Sequence, residues 1–201
     1  MGIIELLGLA GSVSLLSGWR LYATVLITGL AMRSGWVPLP EQLQMLDVLA
    51  NPWVLGIAGV GAVMEFFADK VMWLDSIWDA VHSLIRPVGG ALLALAIVDP
   101  GDPTWQVIAF LLGGGAAFAA HAGKASARAA VNTSPEPVSN VMVSTAEDVA
   151  TVGLLALAIA NPVIAAVIAV GLLVFSIALI VLVGRTLRRI LRPRPRQPGA
   201  P

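Results

Sequence analysis

Residues 163–183 read VIAAVIAVGLLVFSIALIVLV, with no charged side chain among them, and Gly184-Arg185 follow at once. A helix rises 1.5 Å per residue, so a hydrocarbon core of about 30 Å takes about 20 apolar residues to cross. This stretch is a membrane span, and the rest of the chain reads outward from it. Downstream, Arg185, Arg188, Arg189, Arg192, Arg194 and Arg196 crowd the end of the sequence with no acid among them. Arginines flanking a span mark its cytoplasmic side. The expected organisation is therefore a transmembrane helical domain over residues 1–184 and a basic, proline-rich, disordered cytoplasmic tail over residues 185–201.

Upstream the apolar character persists. The chain of 201 residues is 58% hydrophobic and 12% charged, against about 25% charged in soluble domains. Further spans are expected within residues 3–32, 52–67, 71–98, 105–131 and 147–160, which with 163–183 makes about six. The fold class is an all-α, polytopic transmembrane bundle in which some helices are bent or short. Ile3 to Leu16 resembles a signal-peptide core, but no Lys or Arg precedes it and the apolar pattern resumes at Leu21, so an uncleaved first span is expected. That span is interrupted at Ser17-Gly18-Trp19-Arg20. Pro38 and Pro40 place a loop before a short helix from Glu41 to Ala50, and Pro87 is expected to bend the third span. The fifth is short for a bilayer crossing. A two-fold internal repeat is suggested by GALLALAIVDP at residues 90–100 and GLLALAIANP at 153–162, and by Gly18-Trp19-Arg20 beside Gly123-Lys124.

The zero net charge hides an asymmetry, because residues 1–184 carry six basic and twelve acidic side chains. Absence of cysteine excludes disulfides, thiolate metal sites and a cysteine nucleophile. Nucleic-acid binding has no support apart from the tail, which beside a span serves better as a topology anchor or anionic-lipid contact.

The charges that remain are patterned. Asp75, Asp79, His82 and Arg86 recur at steps of four, three and four, one face of a helix, while Val71, Leu74, Ile77, Trp78, Val81 and Ile85 take the other. His121, Lys124 and Arg128 repeat the spacing. Glu65, Asp69 and Lys70 precede the first stripe. The polar segment Asn132-Thr133-Ser134-Pro135-Glu136-Pro137-Val138-Ser139-Asn140 leads to Glu147-Asp148 at an expected helix start. A charge near the bilayer centre costs about 2.5–3.5 kcal/mol on insertion scales, so these groups need partners or water. One reading has the stripes facing each other across a polar cavity that Arg20 also lines. The competing reading lays Asp75 to Arg86 on the membrane surface as a wetted face. Asp75-x3-Asp79-x2-His82 also has helical spacing suited to a divalent metal. Soluble-enzyme signatures such as Gly-x-Ser-x-Gly, His-Glu-x-x-His and a phosphate-binding loop are absent.

The run from Glu65-Phe-Phe-Ala-Asp69-Lys70 through Trp78-Asp79, His82 and Ile85-Arg86-Pro87, together with Lys124, Arg128, Asn132 to Asn140 and Glu147-Asp148, resembles a bacterial integral-membrane family called domain of unknown function 4126. The resemblance reaches to about residue 184. It implies that Glu65, Asp69, Lys70, Asn132, Ser134, Glu136 and Asn140 support one shared polar site, to which Arg20 is added from its position in the first span, and it brings no activity. Where the family has a polar amide near the tyrosine of the first span, this chain has Trp19-Arg20-Leu21-Tyr22.

These readings converge on a multi-pass protein of the cytoplasmic membrane, a small carrier or channel-like protein for a charged small solute. Asp75, Asp79, His82, Arg86, His121, Lys124, Arg128, Glu147 and Asp148 are its expected cavity residues. Membrane lipid, a charged solute and further copies of the chain are the expected partners, without cofactor, resident metal or nucleic acid. The alternatives are a non-transporting lipid-binding or scaffold protein, and a metal-dependent intramembrane enzyme acting on lipid.

Overall fold

A computed structural model describes residues 3–35, 47–98, 101–131 and 137–191. Within them lie seven helices: α1 (Ile3–Trp19), α2 (Leu21–Arg33), α3 (Pro52–Ala68), α4 (Met72–Leu95), α5 (Pro103–Val131), α6 (Pro137–Ala160) and α7 (Pro162–Leu191). Four of the seven open on proline, whose fixed φ and missing N–H suit a first helical position. Asn51 caps α3 by accepting the Trp53 N–H at 2.9 Å, and Asp102 accepts the Thr104 N–H at 3.0 Å at the start of α5.

The first expected span is two helices rather than one. α1 stops at Trp19, Arg20 leaves helical geometry at φ −140°, and α2 begins at Leu21. The chain then turns back. Ser14 and Gly18 of α1 meet Gly113 and Ala117 of α5 in the same order along both helices, so α1 and α5 run parallel. Tyr22, Leu26 and Gly29 of α2 meet Gly61, Gly59 and Leu55 of α3 in opposite order. Since α3 ends beside the second half of α5, α2 runs against α1, and the pair is a helical hairpin with Arg20 at its tip.

Other boundaries also move. α6 begins at Pro137, ten residues before the expected start at Glu147, because Asn140 and Ser144 belong to an inward helical stripe and not to a loop. Pro87 lies inside α4 without ending it. Residues 47–50 form one 3₁₀ turn, and the remainder of the helix expected over Glu41 to Ala50 lies outside the described residues. α7 continues as helix through Arg185, Arg188 and Arg189 to Leu191, into the segment expected to be tail, whose remainder is not described.

Among the described residues, three helices are long and apolar enough to cross a membrane, over Pro103–Ala129, Val138–Ala160 and Val163–Arg189, with α2 and α3 as shorter apolar helices. That is fewer clear spans than six, because Arg20 divides one apolar run and the charged stripe depresses the hydropathy of α4. The bundle is nevertheless inside-out by the standards of water. Arg86 is 0% exposed, whereas Leu84 on the opposite face of the same helix is 78% exposed. Trp73, Ile77, Val81, Val88 and Leu92 are exposed with it. The charged stripe faces into the bundle and the apolar face lies outside, so the wetted-surface reading of Asp75 to Arg86 is overturned.

Close approach of small residues holds the helices together, as expected where lipid removes the hydrophobic drive between them. A Cβ on Gly18 would lie 2.2 Å from the Ala117 carbonyl oxygen, and one on Gly90 would lie 2.4 Å from the Ala117 Cβ. Away from the charges, Leu9, Val13, Leu16, Leu93, Ile97 and Leu155 form an apolar core. Gly18→Ala is expected to lower stability by about 1–3 kcal/mol, measured by thermal unfolding in detergent. Gly115→Ala, whose Cβ meets open space, should match the parent.

Candidate functional site

Five segments bring their charges to one end of the bundle. They are the α1–α2 tip, the end of α3 with the short link to α4, α4 as far as Arg86, the second half of α5 and the first half of α6. Asp69 lies at their centre. Its Oδ2 receives Lys124 Nζ at 2.5 Å, Arg20 Nη1 at 2.7 Å and Arg128 Nη2 at 3.5 Å. Its backbone carbonyl accepts from Arg128 Nη1 and from Asn140 Nδ2, each at 3.0 Å. Burial works against the Asp69 carboxylate, but Lys124 and Arg20 outweigh it and hold the carboxyl below its ordinary value. The stability that its ion pairs add is therefore present above the ordinary carboxylate range and is lost as the pH falls through the lowered value.

The same three cations surround a second acid. Glu147 Oε2 is 3.0 Å from Arg128 Nη2, 3.7 Å from Lys124 Nζ and 3.8 Å from Arg20 Nη2. Arg20 also reaches Asp148 Oδ1 at 2.9 Å and Ser144 Oγ at 3.0 Å. Lys70 pairs with Asp148 Oδ2 at 3.2 Å at the rim and lies over the Phe66 ring. Arg128 additionally donates to Asn140 Oδ1.

A second group adjoins the first. Arg86 donates to Glu65 Oε1 at 3.0 Å, to Asp79 Oδ1 at 2.9 Å and to His121 Nδ1 at 2.6 Å. A guanidinium cannot accept, so His121 Nδ1 is the acceptor and its Nε2–H donates to Ser83 Oγ at 3.2 Å. Ser83 passes its own proton to the Asp79 carbonyl at 2.9 Å. His82 turns elsewhere. It stacks on Trp78 with ring centroids 4.2 Å apart, donates from Nδ1 to the Trp78 carbonyl at 2.8 Å, and accepts at Nε2 from the Tyr22 hydroxyl at 3.2 Å.

The two stripes thus face each other, and they meet at hydrogen-bond distance. Asp75, Asp79, Arg86, His121, Lys124, Arg128, Glu147 and Asp148 join one network with Arg20, Glu65, Asp69, Lys70 and Asn140. His82 stands at its edge. Asn132, Ser134 and Glu136 lie outside the described residues. The hydrolase-type donor set Asp75, Asp79 and His82 does not converge; the acids whose oxygens approach within 4.8 Å of one another are Asp69, Asp75 and Asp79. Sequence reading missed Ser83, Ser144 and the part played by Tyr22. A signal for Ser144 was present, since Asn140, Ser144, Glu147 and Thr151 recur at four, three and four like the stripe of α4.

A family model described as "Domain of unknown function (DUF4126)" matches residues 7–182. The chain belongs to the DUF4126 family. No curated protein and no solved structure matches it. The DUF4126 match contains every network residue, from Arg20 to Asp148.

Five of the six basic residues in positions 1–184 enter this network. Removing one partner from a buried charge group costs about 3–5 kcal/mol, because the others lose compensation. Asp69→Asn should therefore be strongly destabilising. The Asp69→Asn, Lys124→Gln double variant should recover part of the loss, read as the midpoint of thermal unfolding.

Proposed function

We propose that this protein is a small membrane carrier for a solute bearing a carboxylate or another oxyanion group. One observation carries the reading: Arg20, Lys124 and Arg128 are shared between two carboxylate oxygens, Asp69 Oδ2 and Glu147 Oε2. A scaffold needs fixed pairs. Shared cations can pass from one anion to another without a charge being left bare, which is what admission of a charged solute demands. Glu147 is the exchangeable partner, because its side chain is 14% exposed where that of Asp69 is 0%. In this mechanism the solute's oxyanion displaces Glu147 from Lys124 and Arg128, while Asp69 keeps the three cations gathered.

The α1–α2 hairpin supports the same reading, because it holds Arg20 at its tip, where the guanidinium reaches both Asp69 and Glu147. The arginines of α7 lie beyond the end of the bundle that holds the network, since Ser176 packs on Gly123 and the chain continues past it. By the charge rule that end faces the cytoplasm, so the solute enters the network from that side of the cytoplasmic membrane. A homo-oligomer belongs to this proposal, with lipid-facing helices such as α3 supplying the contact.

Internal pairing of the stripes favours a second reading, a non-transporting scaffold. Flux measurement separates the two. Once a solute is found that wild-type proteoliposomes take up, Asp79→Asn and Lys124→Ala variants that remain folded should each lose about tenfold or more of the rate, equivalent to about 1.4 kcal/mol in the barrier. Folded variants that match wild type in each flux assay showing activity would sink the carrier. Orientation has its own test, because the chain has no native cysteine. Arg189→Cys should be labelled by an impermeant maleimide only when the cytoplasmic face is open to it.

A further inference from the structure

The charge count of the network does not close. Glu65, Asp69, Asp75, Asp79, Glu147 and Asp148 contribute six carboxylates, and Arg20, Lys70, Arg86, Lys124 and Arg128 contribute five cations. With His121 accepting from Arg86, and so neutral, one negative charge is left over. The surplus can be placed. Asp79 holds Arg86 at 2.9 Å and Asp69 holds three cations, but Asp75 has Arg128 only at 4.0 Å. Asp75 is 1% exposed, and its Oδ1 has no hydrogen-bond partner among the described residues. The same holds for Oδ1 of Asp69, which is 0% exposed. A buried carboxylate oxygen without a partner is costly.

The two acids with an unpartnered oxygen belong to a group of three whose carboxylates come together. One carboxylate oxygen from each of Asp69, Asp75 and Asp79 lies within 4.8 Å of the others. Two oxygens bound to a common hard cation at about 2.4 Å each lie at most about 4.8 Å apart. The donors are oxygen only, without nitrogen or sulfur, which selects hard cations. The surplus is a single charge, which selects a monovalent one, since a divalent ion would leave the network positive in a low-dielectric setting.

We infer that Asp69, Asp75 and Asp79 form a binding site for a hard monovalent cation of sodium's size. The cation completes the neutrality of the network and gives the buried Asp75 carboxylate the close partner that Arg128, at 4.0 Å, does not supply. Because Asp69 belongs both to this site and to the cationic group that faces Glu147, cation binding and oxyanion binding are linked through one carboxylate. In its role as a coupling ion the inference rests on the carrier reading, whereas binding itself is measurable without any flux.

The test uses the full-length protein in detergent, with sodium exchanged for N-methylglucamine at constant ionic strength. Sodium should raise the unfolding temperature by roughly 3–6 °C at about ten times its dissociation constant. Equilibrium dialysis with radioactive sodium should find about one ion per chain. Asp75→Asn should abolish both effects and, in sodium-free buffer, should unfold no earlier than wild type, because the uncompensated charge is gone. The inference is overturned if wild type neither binds sodium nor responds to it. It is equally overturned if folded Asp75→Asn responds as wild type does, or if calcium in sodium-free buffer stabilises the protein and sodium does not. Should Asp75→Asn fail to fold, the dialysis of wild type decides alone. Binding without flux would remove the carrier and leave the site; flux without sodium binding would do the reverse.

Discussion

Charge that has left water must find its compensation inside the protein, and here much of it is found at the carboxylate of Asp69. Arg20 comes from the α1–α2 tip and Lys124 and Arg128 from α5, and each would be an expensive passenger in an apolar bundle. Gathered on one oxygen, they tie the α1–α2 tip, α5 and the α3–α4 link to a single point. Glu147 and Asp148 add α6 to it. The glycine contacts are the complement of this arrangement. Salt bridges between helices are short only if the backbones approach closely, and Gly18, Gly90 and Gly113 permit that approach in the same region of the bundle.

Division of labour along the helix axes follows. Away from the network the interior of the bundle is apolar, with Leu9, Val13, Leu93, Ile97 and Leu155 packed together. The network holds nearly all the internal charge. At the polar end, Arg20, Lys124 and Arg128 each approach both Asp69 Oδ2 and Glu147 Oε2, so that no single pair holds the segments together.

Much of this was legible in the sequence. The apolar run at 163–183 and the scarcity of charge declared a membrane protein. The four-three-four spacing of Asp75, Asp79, His82 and Arg86, repeated in His121, Lys124 and Arg128, declared two inward faces that do meet. What periodicity could not supply was the partner of each charge. Asp69 sits at a helix end, where no stripe marks it, and became central only because four other segments converge there. Arg20 was visible as an interruption, but a break in a helix does not state the angle of the return. α6 was read as short because its polar residues resembled a loop, although their spacing was helical.

The position of Arg20 at the hairpin tip also sets an order of events during synthesis. Arg20 leaves the ribosome well before any of its partners, and 49 residues separate it from Asp69. At about 5–20 residues per second, Asp69 follows roughly 2–10 s later, and Glu147 and Asp148 later still. The first hairpin therefore meets the bilayer with its guanidinium uncompensated, and a long side chain at a helix terminus can hold its head among lipid phosphates in the meantime. Insertion of α1 and α2 is provisional until α3 and its acidic end have been made, so the biogenesis of this protein is paced by the arrival of its counter-charges.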